Sequence, residues 1–378
     1  MPTSRAAWLV WITLTGPWRF HTGDDPRWSR PAFDDAAWET VDLSAPPGAH
    51  DSDVGITAYV PGWTAHGHAD YAGYAWYRLR VPRPPGDTLV LLGPAAVDDA
   101  YELFVNGVYL GSNGAFVGPT PVVHSMHPRR FAIPPSLAHD SVLVIAVRVW
   151  MSPETLAGGG DVGGIHVAPE LGEARAIDAH YRQRWREVFY GYVVDLIEPI
   201  AFLLLALMAR TQPWLAAALV LTALTRVNNA LFAWGQFETP SDYDLVRVVL
   251  VPLTLAAWTI AWRTRLGIRA RRWIPLTLAI ALIAANAWHQ DSIAGYLRLS
   301  FAALILQTAW LTARRRHWLA LAIVFLIALG LFAPEFSRLG IPGSWFPFGT
   351  GVSRTQFAYA AATPLLVALV TGRSVANA

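Results

Sequence analysis

Seven apolar stretches fill the second half of this 378-residue chain, at 188–209, 213–234, 247–262, 273–288, 293–313, 318–333 and 355–371. About 20 residues at 1.5 Å rise span the hydrocarbon core of a bilayer, and each stretch reaches or nearly reaches that length. Three are a little short and rely on upright crossing or snorkelling ends. The pattern predicts a seven-transmembrane α-helical bundle.

Basic residues collect at alternate ends of these stretches. Arg210 follows the first, and Arg263, Arg265, Arg269, Arg271 and Arg272 separate the third from the fourth. Arg314, Arg315, Arg316 and His317 join the fifth to the sixth, and Arg373 follows the last. Glu238, Asp242, Asp244, Asp291 and Glu335 lie on the other side. Arginine-rich connectors stay in the cytoplasm, so the expected topology is an inner-membrane, multi-pass protein with its N-terminus outside and its C-terminus inside. Arg182, Arg184 and Arg186 precede the first stretch on the outer side and oppose that orientation; the later connectors outvote them. The segment 263–272 is expected to bind anionic lipid headgroups.

Charge divides the chain in the same place. Residues 1–180 hold 19 acidic residues and 11 arginines, a formal −8, whereas 181–378 hold 8 acids and 18 arginines, +10. The high pI thus comes from connectors, not from a basic surface interleaved with aromatics, and nucleic-acid binding has no support. Cysteine is absent, so an exported domain must be held by its core alone.

The first 180 residues carry short alternating runs in place of a helical period. In 77–81, Tyr77, Leu79 and Val81 face one way and Arg78 and Arg80 the other. The run 101–105, Asn106-Gly107 and 108–110 reads as a hairpin, because Asn-Gly accepts the positive φ angles of a type I′ turn. Residues 142–149 form a longer strand candidate. Near the N-terminus, Arg5 followed by apolar 6–14 admits two readings, a signal-peptide core or an edge strand. With no small-x-small cleavage site after it, the strand reading is preferred, and export then implies a natural start further upstream. Together these signals predict an all-β sandwich at 1–175, a juxtamembrane linker at 176–187, the bundle at 188–373 and a short cytoplasmic tail at 374–378.

Specific motifs sharpen the β domain. Gly16-Pro17-Trp18-Arg19-Phe20, Trp28, Pro31 to Trp38, Gly73-Tyr74-Ala75-Trp76-Tyr77-Arg78 and the Asn106-Gly107 hairpin with Leu110-Gly111 occur in that order. In this series the region 14–170 resembles the sugar-binding domain of glycoside hydrolase family two. The resemblance implies a galactose-binding-like jelly roll. That family's catalytic barrel has no counterpart here, so no catalytic carboxylates carry over and the chain is expected not to be an enzyme. A jelly roll ahead of seven helices is also similar to bacterial seven-helix receptors, in which the last helix leads to a kinase, cyclase or phosphatase. The resemblance implies an output module on another chain or on a missing C-terminal extension.

Polar residues within the apolar stretches are the sharpest site candidates. Asp195 and Glu198 lie one turn apart on the first, and Arg226, Asn228 and Asn229 lie at matching depth on the second. An unpaired charge there costs about 2.5–3.5 kcal/mol on insertion scales, which predicts an interhelical pair of Glu198 or Asp195 with Arg226. The pair acts either as a switch or as a static clamp. Pro199 frees a backbone carbonyl beside it.

In the β domain, Trp63, His66, His68, Asp70 and Tyr71 form a loop whose aromatic and polar groups suit a sugar-like ligand. A His-x-His-x-Asp metal site is the weaker reading of the same residues, and His124 and His127 are weaker still; no cofactor is expected. Trp28 and Trp150 are further aromatic candidates, whereas Trp18, Trp38 and Trp76 are expected in the core. Gly158, Gly160 and Gly163 fit G-x-G-x-x-G, but strand-like Ile165-His166-Val167 follows, so a loop is preferred over a dinucleotide site. Trp345, Phe346 and Phe348 in 341–348 suit an interfacial aromatic belt better than a ligand contact.

The function expected is a membrane receptor sensing a carbohydrate or an envelope protein and signalling to a cytoplasmic partner. The alternative is a membrane-anchored binding scaffold without transmission. A transporter would need inverted repeats and pore-lining polar residues that the stretches lack.

Overall fold

The computed structural model describes residues 11–49, 57–117, 120–122, 127–137, 140–156, 161–233, 240–268, 271–288, 290–339 and 354–372. The chain separates into two compact units, and the main boundary falls between Val188 and Phe189.

The first unit is a β-sandwich. Its strands are β1 (Trp11–Thr13), β2 (Pro17–Thr22), β3 (Glu39–Asp42), β4 (Gly73–Pro82), β5 (Leu89–Leu92) and β6 (Val97–Asp98). β7 (Ala100–Val105), β8 (Val108–Asn113), β9 (Arg130–Ala132), β10 (Val142–Met151), β11 (Gly164–Ile165) and β12 (Glu170–Glu173) follow. One sheet runs β1-β12-β5-β9, the other β3-β2-β4-β10-β7-β8, and β11 pairs with β6. Every pairing is antiparallel.

The core lies between the sheets. Trp18, Phe20, Tyr77, Leu103, Ile145 and Val147 of the larger sheet meet Leu91 and Leu171 of the smaller. On β4 the expected alternation holds, yet Trp76 and Arg78 on its other face are also buried. The segment between β2 and β3 explains this: Trp28, Phe33 and Trp38 fold over that face and make a second, aromatic core with Trp76 and Phe104. The Asn106-Gly107 turn has φ values of 48° and 82° and joins β7 to β8, pairing Val105 with Val108. β1 takes the outside position of its sheet, which favours the strand reading for 11–13.

The second unit is helical. A four-residue turn α1 (Pro153–Leu156) belongs to the sandwich; then come α2 (Ala174–Met208), α3 (Pro213–Ala233), α4 (Pro240–Arg265), α5 (Trp273–Ala287), α6 (Asp291–Arg314), α7 (Trp318–Leu331), α8 (Ala333–Arg338) and α9 (Arg354–Thr371). Each of the seven apolar stretches is helix over nearly all its length. Among the described residues, though, only Pro213–Leu231, Val246–Arg265 and Ser292–Arg314 are long and apolar enough to cross a membrane. α5 and α7 are apolar but short, α2 carries Asp195, Glu198 and Pro199, and α9 is interrupted by Pro364.

Residues 176–187, read as a linker, are helix. Ile177 and Tyr181 of α2 pack on Val90 and Leu92 of the smaller sheet. His180 Nδ1 lies 2.6 Å from Glu170 Oε2, and Arg184 Nη1 donates to the Gly93 carbonyl at 3.0 Å. Arg184, which opposes the proposed orientation as a charge in a connector, is thus engaged by the sandwich. Residues 341–348, with their aromatics, lie outside the described residues, as does His124.

Candidate functional site

Within the helical unit, one buried polar group joins three helices. Asp195 and Glu198 share a face of α2, and both are buried. Arg226 of α3 donates from Nε to Glu198 Oε2 at 2.8 Å and from Nη2 to Asp195 Oδ1. The alternatives left open by the sequence are therefore both realised: one guanidinium holds two carboxylates. A guanidinium with donors in a fixed fork suits this, where an ammonium would not.

Gln356 of α9 completes the group. Its amide nitrogen donates to Asp195 Oδ1 at 2.9 Å and to the Gly191 carbonyl at 3.1 Å. Sequence reasoning missed it because Gln356 stands at the start of its apolar stretch, 355–371, where a polar residue is ordinary. Pro199 cannot donate to the carbonyl of Asp195, four residues earlier. Glu198 Oε1 has no hydrogen-bond partner among the described residues. Asn228 is buried and Asn229 half-buried, on the same helix as Arg226. Gly330 of α7 lets α9 approach: a Cβ there would stand 2.4 Å from the Tyr359 ring. A second charged contact, Arg298 of α6 with Glu335 of α8, has Arg298 Nη2 2.8 Å from Glu335 Oε2.

The proposed ligand loop is distributed differently from expectation. Trp63 is 1 % exposed and belongs to the main core, with its indole N–H donating to the Tyr71 carbonyl at 3.0 Å. It is not a ligand platform. The signal was in the glycines: a Cβ at Gly163 would stand 2.4 Å from the Trp63 ring, and one at Gly164 would stand 2.0 Å from the Tyr77 hydroxyl. Gly163 therefore serves close packing, and β11 follows it; Gly158 and Gly160 lie outside the described residues. His66 and Asp70 are exposed. His68 is turned away to Glu39, with Nε2 3.1 Å from Oε2. The Tyr71 hydroxyl accepts from the Gly23 amide and donates to the Tyr74 carbonyl. Trp150 is buried, Trp28 half-buried in the aromatic core, and His127 lies 6.0 Å from the Trp185 ring.

Beside Trp63 stands a titratable cluster that no sequence motif announced. His166 Nδ1 lies 2.9 Å from the Val60 carbonyl, and Nε2 lies 2.9 Å from Asp98 Oδ2. Tyr59 stacks on the imidazole at 4.5 Å. Because a carbonyl only accepts, Nδ1 must carry a hydrogen, and Asp98 facing Nε2 favours a second. Burial pulls His166 down, but the Asp98 charge and hydrogen bond outweigh it and hold the imidazole above its ordinary value. The same partner holds Asp98 below the usual carboxylate range against its own burial. Asp99 accepts from the Ser152 amide and the Thr155 hydroxyl; burial, then the Asp98 charge, pushes it up to about 7.

At the basic end of the helices, Arg263 donates to Gln307 and Arg265 to Gln212 and to the Leu369 carbonyl. Arg271 is exposed, Arg272 lies over the Trp214 ring, and Arg269 is outside the described residues.

No family model and no curated protein matches the chain. Among solved structures it is similar to a Bacteroides uniformis β-glucuronidase, at 22% identity over 43% of this chain and 18% of that one, TM-score 0.32. A glycoside hydrolase family two member from Bacteroides cellulosilyticus matches at 17% identity over 43% and 20%, TM-score 0.30. A Bifidobacterium dentium β-glucuronidase matches at 14% over 45% and 31%, TM-score 0.31. The chain spans less than a third of each of these proteins. They agree with the resemblance to family two and say nothing of receptors. They also correct one expectation: the chain was set apart from enzymes, whereas these solved structures are of glycoside hydrolases. Scores this low carry no argument about its own activity.

Proposed function

We propose that this chain is a multi-pass membrane receptor whose N-terminal jelly roll, galactose-binding-like in type, stands outside the cytoplasmic membrane. The observation that carries the membrane part is the outer surface of the helical unit. Ile197, Leu204, Leu207, Ile280, Leu306 and Phe325 are each more than half exposed, an apolar area that lipid covers and water does not. Exposed Trp273, Trp310 and Trp318 lie toward the arginine-rich ends of α5, α6 and α7, and Trp288 and Tyr296 toward the opposite ends. That spacing suits two interfacial belts. On this reading all seven apolar helices cross, the shorter ones by local thinning of the bilayer.

The receptor part rests on the Asp195–Arg226–Glu198–Gln356 group. A ligand shifts an equilibrium only if it binds two states unequally, and a polar node joining α2, α3 and α9 is an element that two states can share differently. The ligand class favoured is a carbohydrate or an envelope protein, engaging exposed His66, Asp70 and their neighbours; the recipient is a cytoplasmic signalling protein. Reporter fusions test the topology: a cytoplasmic reporter after Ala378 is expected to be active, and activity there of an export-dependent reporter instead overturns it. A glycan array on the full chain in nanodiscs tests the ligand. Binding that changes hydrogen exchange in Arg354–Thr371 supports transmission, whereas binding without such change supports the scaffold reading.

A further inference from the structure

Four arginines at the basic end of the helical unit are already engaged. Arg265 donates to Gln212 and Leu369, Arg315 to the Leu266 carbonyl, and Arg272 and Arg314 lie over the Trp214 and Trp310 rings. Two guanidiniums instead face one cleft of about 130 Å3, lined by Arg263, Arg271, Ile274, Pro275 and Leu304. Arg263 is oriented by Gln307 Oε1 at 2.8 Å, which uses one of its five N–H donors. The Arg271 guanidinium has no hydrogen-bond or ion-pair partner among the described residues, and its carbonyl accepts from the Ile274 amide at 3.0 Å. No carboxylate lines the cleft, and it lies at the N-terminal end of α5, whose dipole adds positive potential.

We propose that this cleft is a stoichiometric site for one phosphate group, carried by an acidic phospholipid. Paired guanidiniums match phosphate oxygens in geometry and charge, and the apolar walls Ile274, Pro275 and Leu304 suit the acyl chains beneath a headgroup better than a free ion. This differs from diffuse attraction of a basic connector to a charged surface: one lipid is retained, and two residues decide it. The inference rests on the membrane reading above.

Native mass spectrometry of the detergent-solubilised full chain, titrated with phosphatidylglycerol, phosphatidylcholine or inorganic phosphate, tests it. One phosphatidylglycerol adduct is expected, weakened about tenfold or more by Arg263→Gln with Arg271→Gln, at roughly tenfold per 1.4 kcal/mol. Exposed Arg271→Gln alone removes a donor without touching packing and is expected to show part of the loss, and Arg210→Gln none. Undiminished retention by the double variant, or equal retention of phosphatidylcholine, overturns the site. Adducts of phosphate without lipid overturn the lipid assignment. Carbonate extraction of membranes separates the two readings: a chain that resists extraction yet holds no adduct sinks the cleft alone, and a chain that is extracted sinks the membrane reading.

Discussion

Both units bury an arginine against carboxylates, and they solve the problem in opposite ways. In the sandwich, Arg78 donates to Asp35 Oδ2 at 2.7 Å, to the Arg30 carbonyl at 3.1 Å and to the Trp28 carbonyl. Arg80 holds the other side of Asp35 at 2.6 Å, so two cations share one acid. In the helical unit, one cation, Arg226, serves two acids. The difference lies in the backbone. A loop laid over a sheet has carbonyls to spare, so the surplus donors of Arg78 find neutral acceptors. Inside a helix the carbonyls are already bonded, so the donors of Arg226 go to side chains, and a further hydrogen bond to Asp195 comes from another helix, from Gln356.

The helical solution is the more fragile, and removing its cation gives the largest expected effect. Arg226→Leu leaves Asp195 and Glu198 buried without their counter-charge, which costs about 3–5 kcal/mol. Little folded, membrane-inserted protein is expected, measured by size-exclusion chromatography with a fluorescent fusion. Arg226→Leu combined with Asp195→Asn and Glu198→Gln is expected to recover much of the yield, since both orphaned charges go. A single variant that behaves like the parent would show that the group is solvated and not buried. Arg78→Met is milder, because Arg80 still neutralises Asp35. The loss is expected near 1.5–3 kcal/mol, the range for a hydrogen bond to a charged partner, read from a denaturant melt. A cost equal to that of Arg226→Leu would remove the contrast between the two units.

How much of this was legible depended on whether charge or period reported it. Arg78 and Arg80 were visible as the outward positions of a strand, and the Asn106-Gly107 hairpin as a turn type. The Asp195, Glu198 and Arg226 triad was visible because charge inside an apolar stretch demands a partner. Gln356 and the Asp98–His166 pair were not visible: Gln356 stands at the start of its apolar stretch, where a polar residue is ordinary, and Asp98 and His166 stand 68 residues apart with no motif to join them. Trp63 was misread for a related reason. Its Gly- and His-rich neighbourhood looks like an open loop, but the residues that cover it, Gly163 and Gly164, sit on the far side of the domain's sequence. The seven apolar stretches are all largely helix, yet among the described residues only three helices are long and apolar enough to cross a membrane.

Gln356→Leu probes the helical node at smaller scale. It removes the hydrogen bonds to Asp195 and Gly191 but no charge, so a loss of about 1–2 kcal/mol in thermal stability is expected, well below that of Arg226→Leu. Gln356→Glu should be worse than Gln356→Leu, because it sets a third carboxylate against Asp195. If the order of these two variants reverses, Asp195 is not the partner that matters.

The smallest expected effect is local to the sandwich and depends on pH. Around His166 stand Asp98, Asp161 and the stacked Tyr59 ring, while Asp99 and the Tyr77 hydroxyl feel the charge of Asp98. His166 is held above its ordinary value of 6.5, so its contribution is complete below that pH and is lost as pH rises through the folded-state value. Asp99, raised from 3.8 to about 7, favours its neutral form in the fold; its contribution is complete below 3.8 and disappears as pH climbs through 7. Asp98 runs the other way, being held low, and weakens the site only as pH falls through its own depressed value. Both losses lie on the alkaline side, so protection of the Gly163 amide, which donates to Asp98, is expected to fall as pH rises through about 7 and above. Hydrogen exchange corrected for the intrinsic rate measures this. Asp99→Asn cannot ionise and is expected to flatten the part of the profile near pH 7, leaving the His166 part in place; a steep fall that survives both Asp99→Asn and His166→Gln would remove this cluster as its cause.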